Sequence, residues 1–548
     1  MDRREFLFRS ACGLGALYLG GLRHAFARPV ASFNAKLDFD AGHPWVKVEG
    51  PFDGTKFSGD EHRRPHDILW HLEQYIAGKG GRPSSIAESV DVLIVGGGTA
   101  GLLSAYRFRH HNFLVVEQAS QFGGNARSEE YRGAAYSLGP AYVTIPDAGS
   151  ELEKFYQELN LRAEAREEAP DKTRVLFGAL KNLREEPGAA GESARAWEEL
   201  LSRLLPNLPS LPPLSAEKEK SDALDSLTAE SWLKAQGPWH PLVMEQLQLY
   251  AWSSFGGSLD EISAAQFLNF VASETRGVMA FSGGNGAITR RLYERLKEKG
   301  EHRLRAGTMV LEIKEEGGYV EVLLEDAGGS LRRIRASALV MAAPKYVARF
   351  LLKAMLPAPR EAVWRELPYR AYAVANILLK EKVEAPAFDI YCLKGTVPPS
   401  PSFGRRTDRP VADFVFANWA APDAEGPTVL TAYRPFPLDG ARNFLLNPML
   451  HDRLKAEFKA DMEQNLKAMG IGPDQIAGIR IALWGHSLPL ARPGYLSSAA
   501  LADLGGRVGE RVFLANQDNF MNPSFEACFE AAKLSWEEVC AKKLLPLG

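Results

Sequence analysis

The sequence is short of cysteine and has no excess of charge of either sign. Its 548 residues contain four cysteines, Cys12, Cys392, Cys528 and Cys540, and no CxxC pair, so neither a zinc cage nor a disulfide scaffold is expected. The 65 basic and 68 acidic residues leave a net charge of -3, which gives no overall attraction to nucleic acid or anionic lipid. No stripe of lysine and arginine with interleaved aromatic residues is present either. We therefore predict neither a nucleic-acid partner nor a metal site.

Long apolar runs are also missing. The stretch from Ala11 to Leu22 is apolar but too short to cross a bilayer, so we predict no stable membrane span. The pair Arg3-Arg4 precedes this stretch and Ala25-Phe26-Ala27 follows it, a pattern that resembles a twin-arginine export signal with a peptidase site. We therefore predict that residues 1–27 are a removed leader and that the mature protein is periplasmic or secreted by the twin-arginine route. The thiols that remain are expected to be buried.

What the sequence does have is the composition of a globular protein, with 45% hydrophobic and 24% charged residues. Its length predicts two or three domains, or one large interleaved enzyme. Residues 28–88 form an N-terminal extension, in which the spacing of Ile68, Leu72 and Ile76 predicts helix. Residues 186–225 are rich in proline, glutamate and serine, which predicts a surface excursion without regular helix.

A glycine loop follows the first strongly apolar strand. Val92–Val95 leads directly into Gly96-Gly97-Gly98-Thr99-Ala100-Gly101, and a helix and a second strand follow. In such a loop Gly96 makes the tight turn, Gly98 lets a pyrophosphate approach the backbone, and Gly101 allows close packing of helix and strand. The helix N-terminus supplies free N–H groups for the phosphates. Because the second strand ends at Glu117, whose carboxylate can bind ribose hydroxyls, the segment predicts a dinucleotide site.

A second glycine pair shortly after Glu117 distinguishes a flavin from a nicotinamide. Gly123-Gly124-Asn125-Ala126-Arg127 resembles the loop that binds the pyrophosphate and ribitol in the flavin-containing amine oxidase superfamily. Members usually carry Gly-Gly-Arg, so the resemblance implies that Arg127 supplies the cationic contact from two residues further on. It implies FAD, bound non-covalently, as the cofactor.

Further matches to the superfamily follow in chain order. Ser282–Ala287 resembles the segment before the second helix of the FAD domain, and Val310 resembles the residue that packs at the adenine end. Ala338–Pro344 is similar to the strand that closes this lobe. Asp518 corresponds to the acid that meets the ribitol and pyrophosphate. Trp484-Gly485-His486 adds a resemblance to bacterial spermidine dehydrogenase-like proteins.

The resemblance implies an α/β fold. A Rossmann-type FAD-binding domain, with a parallel sheet plus a β-meander, would be interleaved with an α+β substrate domain. We predict the FAD-binding domain over residues 89–150, 276–350 and 481–548. We predict the substrate domain over residues 151–275 and 351–480.

The resemblance also implies a reaction, in which an amine, in one version a polyamine, loses a hydride to the flavin N5. Trp484, His486 and Asn376 are the candidate catalytic residues, and His486 would accept the ammonium proton. Structural roles for Trp484 and His486 are the alternative. Where many members place a lysine, this chain has Ala375-Asn376, which favours a dehydrogenase over an oxidase. The external electron acceptor, a quinone, a cytochrome or oxygen, is left open.

Two other functions stay open. A desaturase or isomerase of a lipidic polyene has precedents in the superfamily, and an apolar tunnel without acidic residues would favour it. A flavin-binding protein without turnover is the third possibility, because the chain departs from the family pattern at Asn125, Asn516 and Asn376.

Overall fold

The computed structural model describes residues 42–50, 57–169, 172–208, 218–402, 410–498 and 503–545. The predicted leader, residues 1–27, lies outside the described residues, so the export signal stays a prediction.

The described residues form alternating strands and helices. In chain order the strands are β1 (Trp45–Lys47), β2 (Ser58–Gly59), β3 (Ile86–Val95), β4 (Phe113–Val116), β5 (Ser128–Tyr131), β6 (Ala134–Ser137), β7 (Tyr142–Thr144), β8 (Arg166–Glu168), β9 (Arg174–Phe177), β10 (Ala179–Lys181), β11 (Val278–Ala280), β12 (Leu304–Arg305), β13 (Met309–Glu316), β14 (Tyr319–Glu325), β15 (Leu331–Met341), β16 (Tyr369–Leu379), β17 (Asp389–Cys392), β18 (Asp413–Phe416), β19 (Val429–Phe436), β20 (Ile476–Pro489) and β21 (Val512–Leu514). The α-helices are α1 (Arg63–Trp70), α2 (Leu72–Gly78), α3 (Thr99–Arg107), α4 (Glu151–Glu158), α5 (Ala189–Leu204), α6 (Lys218–Asp225), α7 (Ala229–Gln236), α8 (Pro241–Phe255), α9 (Ala264–Ser273), α10 (Gly286–Lys297), α11 (Lys345–Leu351), α12 (Ala358–Glu366), α13 (Ala441–Leu445), α14 (His451–Ala468) and α15 (Phe525–Ala541).

The first large sheet carries the glycine loop. Its strand order is β12-β4-β3-β15-β14-β13, and β21 pairs with β15. Strands β12, β4, β3, β15 and β21 run parallel, whereas β13, β14 and β15 form an antiparallel meander. The apolar side chains of Val92–Ile94 are completely buried because helices cover the parallel part of the sheet. The predicted combination of a parallel sheet and a β-meander is confirmed.

The second large sheet has the order β10-β9-β17-β18-β19-β16-β20-β2. Its central pairs are antiparallel, and β16 is hydrogen-bonded to both β19 and β20 along most of its length. The predicted boundary between residues 480 and 481 falls inside β20. The residues of β20 after 480, which were predicted to belong to the FAD-binding domain, therefore lie in the same sheet as the predicted substrate domain.

The described residues of the N-terminal extension contribute strands to two parts of the fold. Its predicted helical segment forms α1 and α2, which are separated at His71. Strand β1 pairs with β5 beside the second glycine loop, and β2 pairs with β20 of the second sheet. The extension is thus built into the fold.

Two expectations about local structure are wrong. Residues 186–225 were expected to lack regular helix, but Ala189–Leu204 and Lys218–Asp225 are helical, and the first of these helices buries Leu200 and Leu201. It can form because no proline stands between Pro187 and Pro206. The remaining thiols were expected to be buried, and Cys540 is exposed near the end of α15.

No helix within the described ranges is both long and apolar enough to cross a membrane. Across the same residues, no group of three or more His, Cys, Asp or Glu side chains is arranged to hold a metal ion.

Candidate active site

One cavity of about 420 Å³ lies between the two sheets. The loops after β3 and β4 border it on one side, and β16 to β20 of the second sheet border it on the other. We call these the cofactor end and the substrate end. Six of the residues predicted to bind the cofactor border the cofactor end: Gly96, Gly98, Glu117, Gly124, Arg127 and Val310.

The glycine loop has the geometry expected of a dinucleotide cradle. Gly96 has φ +107°, and a Cβ on Gly101 would lie 1.8 Å from the carbonyl oxygen of Gly96, so both positions require glycine for the protein's own packing. A Cβ on Gly98 would instead meet only Gly124, at 3.6 Å from its Cα. The space in front of Gly98 is therefore cavity.

Glu117 closes the loop through the backbone. Its Oε2 accepts a hydrogen bond from the Gly97 N–H at 2.6 Å and its Oε1 one from the Ala119 N–H at 2.8 Å. Burial raises the pKa of the Glu117 carboxyl, and the two backbone hydrogen bonds oppose that rise. The carboxylate is held at the end of β4, where a ribose would lie.

The second glycine loop packs against the first. The Gly123 N–H donates to the Gly97 carbonyl at 2.8 Å, and a Cβ on Gly124 would lie 3.1 Å from the Cα of Gly98. Arg127 is buried, donates from Nη2 to the Gly59 carbonyl at 2.5 Å, and lies 5.2 Å from the ring centroid of Trp484. It thus connects the cofactor end to the second sheet.

Several buried polar atoms at this end have no protein partner. Arg127 Nε and Asn285 Oδ1, at the start of α10, have no hydrogen-bond partner among the described residues, and both residues border the cavity. Helix α3 begins at Thr99 after Gly98, which has no side chain to cap its first N–H groups. Unpartnered donors at a helix N-terminus in front of Gly98 fit the pyrophosphate of a dinucleotide.

Not every predicted cofactor residue borders the cavity. Gly101 and Gly123 act through loop packing, and Asp518 lies behind Asn516 and Gln517, which do border it. The Oδ2 of Asp518 accepts hydrogen bonds from the Lys345 N–H, at 2.9 Å, and from the Tyr369 hydroxyl.

The structure brings Trp484 and His486 to the cavity on β20. Trp484 donates from Nε1 to the Leu138 carbonyl at 2.7 Å. The His486 ring stacks on Tyr346 with 3.4 Å between centroids, and its Nε2 accepts a hydrogen bond from Arg442 at 2.7 Å. Burial, with Arg442 nearby, lowers the pKa of His486 to about 2. This environment favours a neutral ring held for packing, and the catalytic role of His486 stays a prediction.

Asn376 is not brought together with them. It is completely buried in β16 and does not border the cavity, and its Oδ1 accepts a hydrogen bond from the Thr431 hydroxyl at 2.8 Å. Val374, two residues earlier on the same face, is the β16 residue closest in sequence that does border it.

A row of side chains across the second sheet was not predicted from the sequence. Tyr391, Asp413, Tyr433 and Val374 are successive cross-strand partners on β17, β18, β19 and β16, and all border the cavity. Cross-strand partners in antiparallel strands project from the same face. These four residues, with the cross-strand pair Tyr372 and Trp484, form what we call the cavity floor.

Three carboxylates with raised pKa values lie at the substrate end. Asp389 and Asp413, which we call the acid pair, are on neighbouring strands, and burial raises the pKa of Asp413 to about 7 and that of Asp389 well above its usual value. Glu274 follows α9, and its oxygens accept hydrogen bonds from Tyr142 at 2.8 Å and Tyr250 at 2.9 Å. Burial raises the pKa of Glu274 to about 7, against the effect of these hydrogen bonds.

A local signal for the acid pair does exist in the sequence. Asp389 and Asp413 each stand as a single carboxylate at the start of an otherwise apolar strand, in Asp389-Ile-Tyr-Cys and Asp413-Phe-Val-Phe. Carboxylates are seldom buried unless they are paired or functional. That signal identifies each residue as unusual but does not place the two together.

Comparisons with known proteins agree with this geometry. Residues 99–470, more than half of the chain, match the family described as flavin containing amine oxidoreductase. The chain is 23% identical over 528 residues to the oxidoreductase PigB of a Serratia species, covering 84% of this chain and 77% of that protein.

Solved structures with similar folds include enzymes with different substrates. Cyclohexylamine oxidase from Brevibacterium oxydans has a TM-score of 0.61 at 17% identity, covering 83% of this chain and 99% of its own. A putrescine oxidase bound to putrescine has a TM-score of 0.59 at 16% identity, with coverages of 83% and 99%. A CLA-producing fatty acid isomerase from P. acnes has a TM-score of 0.58 at 18% identity, with coverages of 82% and 99%. At these identities the likeness establishes the fold alone.

Proposed function

Because the chain belongs to the flavin-containing amine oxidoreductase family, with FAD as its cofactor, we propose that it oxidises an amine. The observation that carries the proposal is the substrate end of the cavity. Glu274, Asp389 and Asp413 border it, as does Glu526 beside Glu274, and among the described residues bordering this end there is no lysine or arginine. Buried acids without a basic partner attract an ammonium group.

The residues of the cofactor end fit FAD. Gly98 and the N-terminus of α3 would hold the pyrophosphate, Glu117 the ribose, and Val310 the adenine end, while Arg127 would add a positive charge. When bound, FAD supplies an acceptor for a hydride from the carbon beside a neutral amine.

The residues of the substrate end then have three tasks. The carboxylates attract the ammonium form of the substrate, and the tyrosines of the cavity floor exclude water and surround the cation with aromatic rings. The ammonium must also lose a proton before oxidation. Glu274 can accept it, because its pKa of about 7 matches this task and each of its oxygens has a lone pair beyond those used by Tyr142 and Tyr250.

The fatty acid isomerase fold allows a second reading, in which the substrate is a lipidic polyene. An anionic lipid headgroup would meet three carboxylates at the substrate end, so the charge there opposes this reading. The experiment is anaerobic mixing of the holoenzyme with amines, amino acids and polyunsaturated fatty acids while the flavin absorbance is followed. Bleaching by amines supports the proposal, and bleaching by fatty acids alone would overturn it.

We also propose that electrons leave the reduced enzyme to an acceptor other than oxygen. The support is that many members of the family have a lysine beside the flavin, whereas no lysine is among the described residues that border the cavity. Reoxidation by a quinone or phenazine should be at least about tenfold faster than reoxidation by oxygen in a stopped-flow measurement, a ratio that corresponds to about 1.4 kcal/mol in the barrier. Equal rates would identify an oxidase.

Export by the twin-arginine route remains part of the proposal. The support is the sequence of residues 1–27 alone. Replacing both arginines, Arg3→Lys with Arg4→Lys, should leave flavin-loaded protein in the cytoplasm. Unchanged recovery of the double variant from the periplasm would refute this route.

A further inference from the structure

We propose that Asp389 and Asp413 form a second ammonium subsite, which makes the enzyme prefer amines that carry two positive charges. The inference rests on the proposed function and goes beyond it, since amine oxidation by itself requires only one nitrogen. It assigns the acid pair to the end of the substrate that does not react.

The acid pair is directed into the cavity by the register of the sheet. Asp413 is paired with Tyr391 on one side and with Tyr433 on the other, and Asp389 is paired with Val415. All five residues border the cavity. Residues two apart on a strand share a face, so Asp389 and Asp413 lie diagonally opposite each other on the cavity face of β17 and β18.

No basic side chain among the described residues pairs with the acid pair. Asp413 is only 3% exposed, and one oxygen of each carboxylate, Oδ1 in both, has no hydrogen-bond partner among the described residues. The groups facing it are other acids, neutral phenols and the Ser253 hydroxyl, which is hydrogen-bonded to Asp413, so a bound cation would be its first opposite charge. Two adjacent buried carboxylates with unused oxygens are costly unless a cation is taken up there.

The acid pair also lies apart from the cofactor end. Trp484, which packs beside Arg127, is on β20, and β16 and β19 separate that strand from β18. Three strand spacings of about 4.8 Å place Asp413 roughly 14 Å from Trp484 across the sheet. A carboxylate site this far across the cavity floor from the cofactor end suits a chain with an amine at each end.

The path across the cavity floor from the cofactor end to the acid pair is lined by aromatic side chains. Tyr372 and Tyr433 form an edge-to-face pair with centroids 5.8 Å apart, and both border the cavity. Their hydroxyls are used on the protein, Tyr433 donating to the Gly139 carbonyl at 2.8 Å and Tyr372 to the Ser253 carbonyl at 3.2 Å. The ring faces and edges are therefore left to contact the methylene chain of the substrate.

The first experiment uses the wild-type holoenzyme alone. Rates of anaerobic flavin reduction are measured for a series of straight-chain α,ω-diamines, for their mono-N-acetyl derivatives and for the simple alkylamines of equal length. Acetylation keeps the length and removes the second charge. We expect the best diamine to exceed its acetyl derivative by about 10- to 100-fold in reduction rate over dissociation constant, the range for one hydrogen bond to a charged group.

The second experiment removes the charge. Asp413→Asn and Asp389→Asn should lower the ratio of reduction rate to dissociation constant at least about 10-fold more for the diamine than for its acetyl derivative. Asp423→Asn, a substitution of the same charge at an exposed position away from the cavity, is the matched control and should change neither. Flavin absorbance and melting temperature report whether each variant is folded and loaded.

The outcomes separate the two proposals. If the flavin is reduced by amines but the wild type does not distinguish diamines from their acetyl derivatives, the subsite is refuted and amine oxidation stands, even if a variant does not fold. Equal losses for both substrates in the variants would also refute the subsite. If no amine reduces the flavin, the proposed function itself has failed.

Discussion

The two ends of the cavity are built in different ways from the chain. The cofactor end comes mainly from one continuous stretch, in which β3, the glycine loop, β4 and the second glycine loop follow one another within residues 86–127. The substrate end draws on β16, β17, β18, β19 and β20 and on the end of α9, so residues more than 200 apart in the chain meet there.

The two ends constrain different parts of their residues. At the cofactor end the backbone is constrained, because a Cβ on Gly101 would collide with the Gly96 carbonyl and one on Gly98 would enter the cavity. At the substrate end the chemistry of the side chains is what matters, and the backbone there is ordinary antiparallel sheet. Substrate preference can therefore change by single substitutions at the substrate end without disturbing the cofactor end.

The largest effect we expect comes from filling the cofactor end. Gly98→Val should abolish FAD binding, because the new side chain enters the space in front of α3 while the protein itself offers only Gly124 as a neighbour. The purified variant should be folded by circular dichroism and colourless. Gly78→Val is the control, because no atom lies within 4 Å of a Cβ built there, and it should stay yellow. A yellow Gly98→Val protein would falsify the placement of the pyrophosphate.

The second effect tests the substrate end through pH. Asp413 and Glu274 have raised pKa values of about 7, so protonation below pH 7 removes the charges that attract a cation. The affinity of the holoenzyme for a permanently charged bis-quaternary ammonium ion should fall as pH is lowered from 8 to 6, by up to about tenfold per unit for each proton taken up. The groups that face the acid pair and Glu274 do not cancel this trend. Glu168 is itself an acid with a raised pKa, and the phenols stay neutral because their pKa values are raised: Tyr142, Tyr250, Tyr372, Tyr391 and Tyr433.

Asp413→Asn should flatten the pH dependence measured by titration of the flavin spectrum, and an unchanged slope would remove Asp413 from the site. The stability of the ligand-free protein should change with pH in the opposite direction to its affinity for the cation. A carboxyl whose folded-state pKa is raised destabilises the folded protein as pH rises above its unfolded value, so without ligand the melting temperature should be higher at pH 6 than at pH 8.

The same contrast explains what could be predicted from the sequence. Gly96, Gly98, Glu117 and Arg127 were identifiable because their spacing is fixed by a local strand–loop–helix unit. Asp389 and Asp413 were not, because their meeting depends on the register between β17 and β18, which no short motif encodes. Asn376 was predicted at the site from its match to a family strand, but it is completely buried and Val374, on the same face of β16, borders the cavity instead.

A smaller effect is expected at the border between the two ends. His486→Ala should slow flavin reduction by less than about tenfold, because Nε2 is occupied by Arg442 and a ring with a pKa of about 2 is a poor proton acceptor near neutral pH. The readout is the rate of anaerobic reduction against pH at full FAD occupancy. A loss of about 100-fold with the loss of one ionisation from the profile would instead support His486 as the base. Glu274→Gln is the companion variant and should show that loss.

The smallest effect concerns the N-terminal extension, which covers the cofactor end. Arg64 on α1 donates to the Gly307 carbonyl at 2.8 Å and pairs with Glu325 at 2.7 Å, and Pro65 and Leu69 of the same helix border the cavity beside Val310. Arg64→Gln should therefore speed FAD release by up to about fivefold, the range for one partly exposed ion pair. Release is measured as the rise of free-flavin fluorescence after dilution.

The matched control for Arg64 is Arg82→Gln. Arg82 is exposed to a similar degree, 37% against 34%, and also ties the extension to β13, through Glu312 at 2.5 Å, but it does not border the cavity. If both substitutions speed release equally, the extension acts only by stabilising the fold. If Arg64→Gln alone does so, the wall of the cofactor end includes a segment that precedes the glycine loop in the chain. The cofactor end would then share, in part, the non-local construction of the substrate end.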